Sequence, residues 1–242
     1  MRANINVNLN NFIWLREQKG GNMSRINSTR SGCKDVFHSF LVKNASYEGH
    51  LEIPKIEYGL YRPKKLISFS KCISSIDYGC WVHFYEDDVT FERIWNNPNK
   101  YLTVLKKYSG VICPDFSLYR DMPLVMQFWN IYRSRAIGRW LQDNGVPVIS
   151  NVRYSDSRTY TAACLGVPKE GTIAIGSYGC IKCRADRKEF IEGLDYVVTV
   201  LRPKVIAVYG STPDSIFNKY KDKGIEILQF DSDFSVARRK ED

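Results

Sequence analysis

The chain has 242 residues, 44% hydrophobic and 25% charged, the composition of a globular protein long enough to bury its own core as one large domain or two small ones. No apolar run approaches the roughly 20 residues of a spanning helix, and the opening MRANINVNLNNFIWLREQKGG lacks the apolar segment of a secretory signal, so a cytoplasmic address away from membranes is expected. The net charge of +9 favours an anionic partner, nucleic acid or a phosphorylated small molecule, and the odd count of seven cysteines reads as free thiols rather than a disulfide framework.

Residues 1–40 are expected to be a poorly ordered extension. Lys19-Gly20-Gly21 directly before Met23 is encodable by a purine-rich run of the kind that precedes a start codon, so translation from Met23, leaving 1–22 unmade, is an expectation of the sequence. A short helix near 35–42 and an extended LEIPKI run lead into a single α/β domain over 41–232, followed by a charged tail, 233–242. Short apolar runs bounded by Gly, Pro or polar residues predict strands at 66–70, 81–85, 111–113, 146–149, 172–175, 205–209 and 225–230. Helices are predicted at 89–95, 101–108, from Pro123 to about Asn144, at 187–201 and at 213–223. In the long central helix the apolar stripe Val125, Trp129, Tyr132, Ala136 and Trp140 is expected to face inward, with Arg133, Arg135 and Arg139 largely off it and Asp121 as the cap. Alternating strands and helices mean a parallel sheet. Neither G-x-G-x-x-G nor G-x-x-x-x-G-K-[ST] occurs, so an irregular (β/α) barrel, TIM-barrel-like, with about seven or eight mostly parallel strands, is preferred to an open doubly wound sheet.

Parallel strands deliver their following residues to one rim, where α/β proteins build their sites. Asp115, just past the third strand, suits a base, nucleophile or metal ligand and equally a turn cap or an ion pair with Arg120. Asn151 and Arg153 end the next strand, and Arg153 either clamps an anion or neutralises Asp115. Glu86, Asp87 and Asp88 resemble a divalent-metal cluster and equally suit a helix start. Ser177 and the Tyr209-Gly210-Ser211-Thr212 turn, with Thr212 as cap, form a candidate phosphate cradle. Cys180 and Cys183 form a lone C-x-x-C, short of the four ligands of a structural zinc site, and His83 reads as a barrel-interior residue.

The segments PDFSLYRDMPLVMQFWNIYRSRAIG, WVHFYEDDVTFERIWNNP and VYGSTPDSIF resemble a family of uncharacterised proteins carried by phages, plasmids and integrative elements of Gram-positive bacteria, over roughly residues 41–239. The resemblance implies a mobile element acting in a bacterial host's cytoplasm, and carries over no catalytic residue. Two functions follow as expectations. One is a barrel enzyme acting on a phosphate-bearing nucleotide or nucleic acid, with Asp115, Asp87 and Glu86 as catalytic candidates, Arg120 and Arg153 as the anion clamp, and a divalent metal left open as cofactor. The other is a non-catalytic protein that binds DNA or a host factor through a basic surface.

Overall fold

Seven apolar runs, each too short for a helix, become the strands of one parallel sheet. In the computed structural model, which describes Asp35 and residues 37–238, they are β1 (Leu66–Ser68), β2 (Trp81–His83), β3 (Gly110–Ile112), β4 (Val148–Asn151), β5 (Thr172–Gly176), β6 (Val205–Tyr209) and β7 (Glu226–Phe230). Each strand pairs in parallel with the one before it, so sheet order equals chain order. Crossovers that keep one hand then return on the same side, and the sheet curls into a half-barrel surrounded by helices. The expected barrel is therefore present in open form, with β1 and β7 at its edges.

The chain divides into two units, 1–39 and 40–242, and this fold is that of the second. Translation from Met23 and the extension before residue 35 concern residues outside those described. The helix expected near 35–42 is a 3-10 turn, Ser39–Val42, and the LEIPKI run contributes Ile53–Pro54, which pairs antiparallel with Tyr47–Glu48.

Helices connect the strands: α1 (Phe69–Cys72), α2 (Asp88–Asn96), α3 (Pro98–Leu105), α4 (Leu124–Asp143), α5 (Tyr160–Cys164), α6 (Arg184–Leu201), α7 (Asp214–Lys221) and α8 (Asp233–Arg238). Asn97 ends α2 and caps α3, its side chain accepting from the Lys100 N–H, and Pro98 fills the first position of α3, where a missing N–H costs nothing. Helix α8 lies where a charged tail was expected, and Asp233 at its start pairs with Lys71 at 2.7 Å.

Alternation along the strands divides the core. Ile112, Ile149, Ala174 and Ala207 pack with Trp81 in one cluster inside the curl. Val111 and Val148 pack outward in the cluster containing α2 to α4 residues, and Ile173, Ile175, Ile206 and Val208 in the one containing α6 and α7 residues. Gly110 stands opposite Trp81 in the ladder, and a Cβ there would run into the indole ring.

Helix α4 buries Ala136 and Trp140 of the expected stripe but corrects the rest of the periodicity reading. Val125 and Trp129 are 72% and 42% exposed, whereas Arg135 is 1% exposed and Arg133 is buried. Arg135 donates through Nη1 to the Asn151 carbonyl at 2.8 Å, through Nη2 to that of Ala163 at 2.9 Å and through Nε to that of Leu165 at 3.3 Å. Those carbonyls belong to the end of β4 and the α5 region, so a side chain that looks like solvated charge anchors the strand carrying Asn151 and Arg153. Arg133 lies over the Phe116 ring at 3.9 Å and donates to Asn130. The expected caps also differ: Pro123 precedes α4 and Pro213 precedes α7 without side-chain caps, so neither Asp121 nor Thr212 serves.

Candidate functional site

The carboxyl ends of β2 to β6 converge on a polar row. The inward face of β2 continues past its last residue to Tyr85, whose ring lies over Gly176, where a Cβ would sit 3.2 Å away. Tyr85 stacks on Tyr209 at 4.7 Å and 12°. Beneath them His83 is buried, accepts the Tyr85 N–H at Nδ1 (3.1 Å), and lies 4.6 Å from the Tyr209 ring. Burial pushes its imidazole down to about 4, so it is neutral near pH 7, in keeping with its reading as an interior residue.

From Tyr85 the row runs outward. Its hydroxyl donates to Asn151 Oδ1 at 3.0 Å, Asn151 Nδ2 donates to Asp115 Oδ1 at 2.7 Å, and Arg153 Nη1 donates to Asp115 Oδ2 at 3.1 Å. The tyrosine donor and the carboxylate acceptor together fix the orientation of the Asn151 amide between them. Asp115 is buried, and its desolvation raises the carboxyl above its ordinary value, while Arg153 and Asn151 pull it down and Asp88 adds to the rise. Asp115 in turn raises the Arg153 guanidinium. Burial likewise holds the Tyr85 hydroxyl well above its ordinary value.

Arg153 reaches solvent through a cavity of about 570 Å³, walled by the segments after β3 (Leu118–Asp121), β4 (Arg153–Ser155) and β5 (Tyr178–Cys180) and by the first turns of α6. Arg120 crosses the mouth to the Asp186 carboxylate, and its backbone carbonyl accepts from Arg158 at 2.8 Å. Tyr119 and Tyr178 are 56% and 41% exposed, while Tyr154 is tied through its hydroxyl to the Phe190 carbonyl at 2.8 Å.

The residues expected at this rim thus separate. Asp115, Asn151 and Arg153 meet, and Arg120 stands on the same cavity. The partner of Asp115 is Arg153; Arg120 goes to Asp186. Glu86 and Asp87 do not join them: Glu86 accepts from the Ser70 N–H at 3.0 Å and from the Ser70 hydroxyl, and Asp87 is exposed at the start of α2. Asp88 accepts from Ser117 N–H and Oγ, at 3.1 and 2.9 Å, and so holds the loop that follows Asp115. The three consecutive carboxylates therefore diverge, and among the described residues no three His, Cys, Asp or Glu side chains are grouped to hold a metal ion.

Ser177, Tyr209, Gly210, Ser211 and Thr212 share the rim but do not wall this cavity. The Gly210 N–H is spent on the Phe230 carbonyl at 2.7 Å, Ser177 Oγ donates to the Ser211 carbonyl at 2.7 Å, and the Thr212 hydroxyl donates to Gln229. Tyr85, Tyr119, Tyr178, Asp186 and Arg135 were not singled out as site residues. For Tyr85 a signal existed, since period two places it on the face of Trp81 and His83; for Arg135 no local signal distinguishes it from Arg139.

Fold and site together define an α/β half-barrel protein with a buried polar row and an open cavity at the carboxyl ends of its strands. Residues 45–231 match the family described as Domain of unknown function (DUF4417), and the chain belongs to that family. It is 30% identical over 187 residues to the Gene 1 protein of Mycobacterium phage D29, covering 76% of this chain and 68% of that protein. It is 34% identical over 129 residues to the Gene 1 protein of Mycobacterium phage L5, covering 53% and 56%. The expected likeness to an uncharacterised phage-carried family is thereby shown. No solved structure matches the chain significantly. No helix among the described residues is long and apolar enough to cross a membrane.

Proposed function

We propose that this chain is an enzyme of the host-cell cytoplasm that acts on a phosphate-bearing nucleotide, free or within nucleic acid, at the cavity beside Arg153. The observation carrying this reading is that one guanidinium joins a buried carboxylate behind it to an open cavity in front. A phosphate entering the cavity competes with Asp115 for forked hydrogen bonds from Arg153. As the guanidinium turns toward the ligand, Asp115 loses its counter-charge in a place where burial already raises its carboxyl, and its affinity for a proton rises. A carboxyl driven toward neutrality by substrate binding is suited to general acid–base chemistry on that substrate. The exposed rings of Tyr119 and Tyr178 offer faces on which a base can stack.

The test is calorimetric titration and thermal shift with a nucleoside, its monophosphate, orthophosphate and a single-stranded oligonucleotide, on wild type, Arg153→Gln and Asp115→Asn. The reading requires the monophosphate to bind wild type and Asp115→Asn, to lose at least tenfold affinity in Arg153→Gln, and to be converted by wild type only. Absence of binding to wild type, or equal binding by Arg153→Gln, overturns it. Oligonucleotide binding that ignores Arg153→Gln and falls steeply with salt would instead identify a non-catalytic, backbone-binding surface.

A further inference from the structure

The C-x-x-C pair finds no use in the polar row, yet it borders the same cavity. Of the six described cysteines, Cys72, Cys80, Cys113 and Cys164 are buried, Cys180 is half-buried on the cavity wall and Cys183 is exposed. The turn that carries Cys180 is closed by its N–H bonding the Ser177 carbonyl at 3.1 Å. Residues 181–183 then bend before α6 begins, so the chain between the two cysteines does not run straight. Cys183 caps α6: its Sγ accepts the Asp186 N–H at 3.3 Å and donates its own hydrogen to Asp186 Oδ2 at 2.8 Å. The other oxygen of that carboxylate, Oδ1, holds Arg120 across the cavity mouth.

We infer that Cys180 and Cys183 are a redox-active dithiol, which a low-molecular-weight disulfide oxidises to an intrachain disulfide, and that this oxidation alters the Asp186–Arg120 bridge over the cavity. The exposed Cys183 thiolate attacks one sulfur of the external disulfide, expelling one thiolate and leaving a mixed disulfide. The Cys180 thiolate then attacks Cys183 Sγ, forming the Cys180–Cys183 bond and expelling the second thiolate. Two protein thiols are oxidised, one external disulfide is reduced to two thiols, and the two protons pass to the departing thiolates. The oxidised Cys183 has no S–H to donate to Asp186 Oδ2, and turning its Sγ toward Cys180 withdraws the acceptor of the Asp186 N–H, so the carboxylate that fixes Arg120 loses a donor and the amide beside it loses its cap. Among the described cysteines the four core thiols lie out of reach of the same reagent, which leaves Cys180 and Cys183 as the reactive pair of that set.

The test uses the full chain, fully reduced and then exposed to oxidised glutathione, read by intact mass and peptide mapping, with hydrogen exchange at the Asp186 amide. Wild type should lose two hydrogens with a single Cys180–Cys183 bond, and the Asp186 amide should exchange at least tenfold faster once oxidised. Cys180→Ser should instead stop at one glutathione adduct on Cys183, and Cys183→Ser, which keeps a side chain able to cap α6, should do neither. A lasting adduct on Cys180 or Cys183 of wild type, no bond between them, an adduct on Cys180 in Cys183→Ser, or unchanged exchange at Asp186 would overturn the inference.

Discussion

Replacing Arg153 by glutamine isolates the electrostatics of the polar row. The substitution removes the cation 3.1 Å from Asp115 and leaves the carboxylate with the Asn151 amide at 2.7 Å. Removing one partner of a buried pair costs about 3–5 kcal/mol. The Arg153 side chain is 25% exposed and water can follow it in from the cavity, so the cost drops to the bottom of that range and below, about 2–3 kcal/mol. For a domain of this size about 2–4 °C accompanies each kcal/mol, so the melting temperature should fall by roughly 4–12 °C at pH 7. The sign of the pH dependence follows from the raised Asp115 carboxyl, which is raised further without its cation. Below the unfolded value of 3.8 the group is protonated in both states and its penalty vanishes. As pH rises through the folded value the penalty returns, so Arg153→Gln should lose stability with increasing pH more steeply than wild type. Adding Asp115→Asn should restore most of the loss, because no buried charge then remains. Differential scanning fluorimetry from pH 4 to 8 on wild type, both single variants and the double variant measures the cycle. An Arg153→Gln protein melting within 2 °C of wild type at pH 7, or one not rescued by Asp115→Asn, would refute the reasoning.

Three further outcomes follow from the packing. Arg135→Met leaves the carbonyls of Asn151, Ala163 and Leu165 without their donor and should cost at least about 3 kcal/mol in urea denaturation; a loss under 1 kcal/mol would show that water replaces it. Gly138→Ala gains about 1 kcal/mol of helix propensity, but its Cβ would run into Cys113 Sγ and the Ile56 side chain, so net destabilisation of about 1–2 kcal/mol is expected, and a stabilised variant would contradict the packing. His83, held down to about 4 from 6.5, should make wild type lose up to about 3 kcal/mol as pH falls from 6.5 to 4, since the unfolded chain takes the proton first. In His83→Gln that slope should flatten in pH-dependent urea melts, and an unchanged slope would place the titration elsewhere.

What the sequence determined by itself was the architecture. The five inner strands are legible because a parallel strand buried on both faces must be a short apolar run, and Val205–Tyr209 is located to the residue; the half-exposed edge strands Leu66–Ser68 and Glu226–Phe230 are found from their bounding turns and the alternation of elements. Chain direction then puts the residues after every strand on one rim, and for this reason Asp115, Asn151 and Arg153 could be named together. Only the tertiary structure decided which rim residues meet. Glu86 and Asp87 look equal to Asp115 in sequence, but Ser70 draws Glu86 away and Asp87 remains in solvent, because pairing is settled by neighbours on other strands. Helix α4 shows the same limit from the other side. A 3.6-residue period finds an apolar stripe, yet Arg135 lies inside and Val125 outside, because the carbonyls that satisfy the guanidinium come from segments 16 to 30 residues away in the chain. Periodicity reports the mean polarity of a face; whether a charge is buried depends on partners that only the folded chain brings within reach.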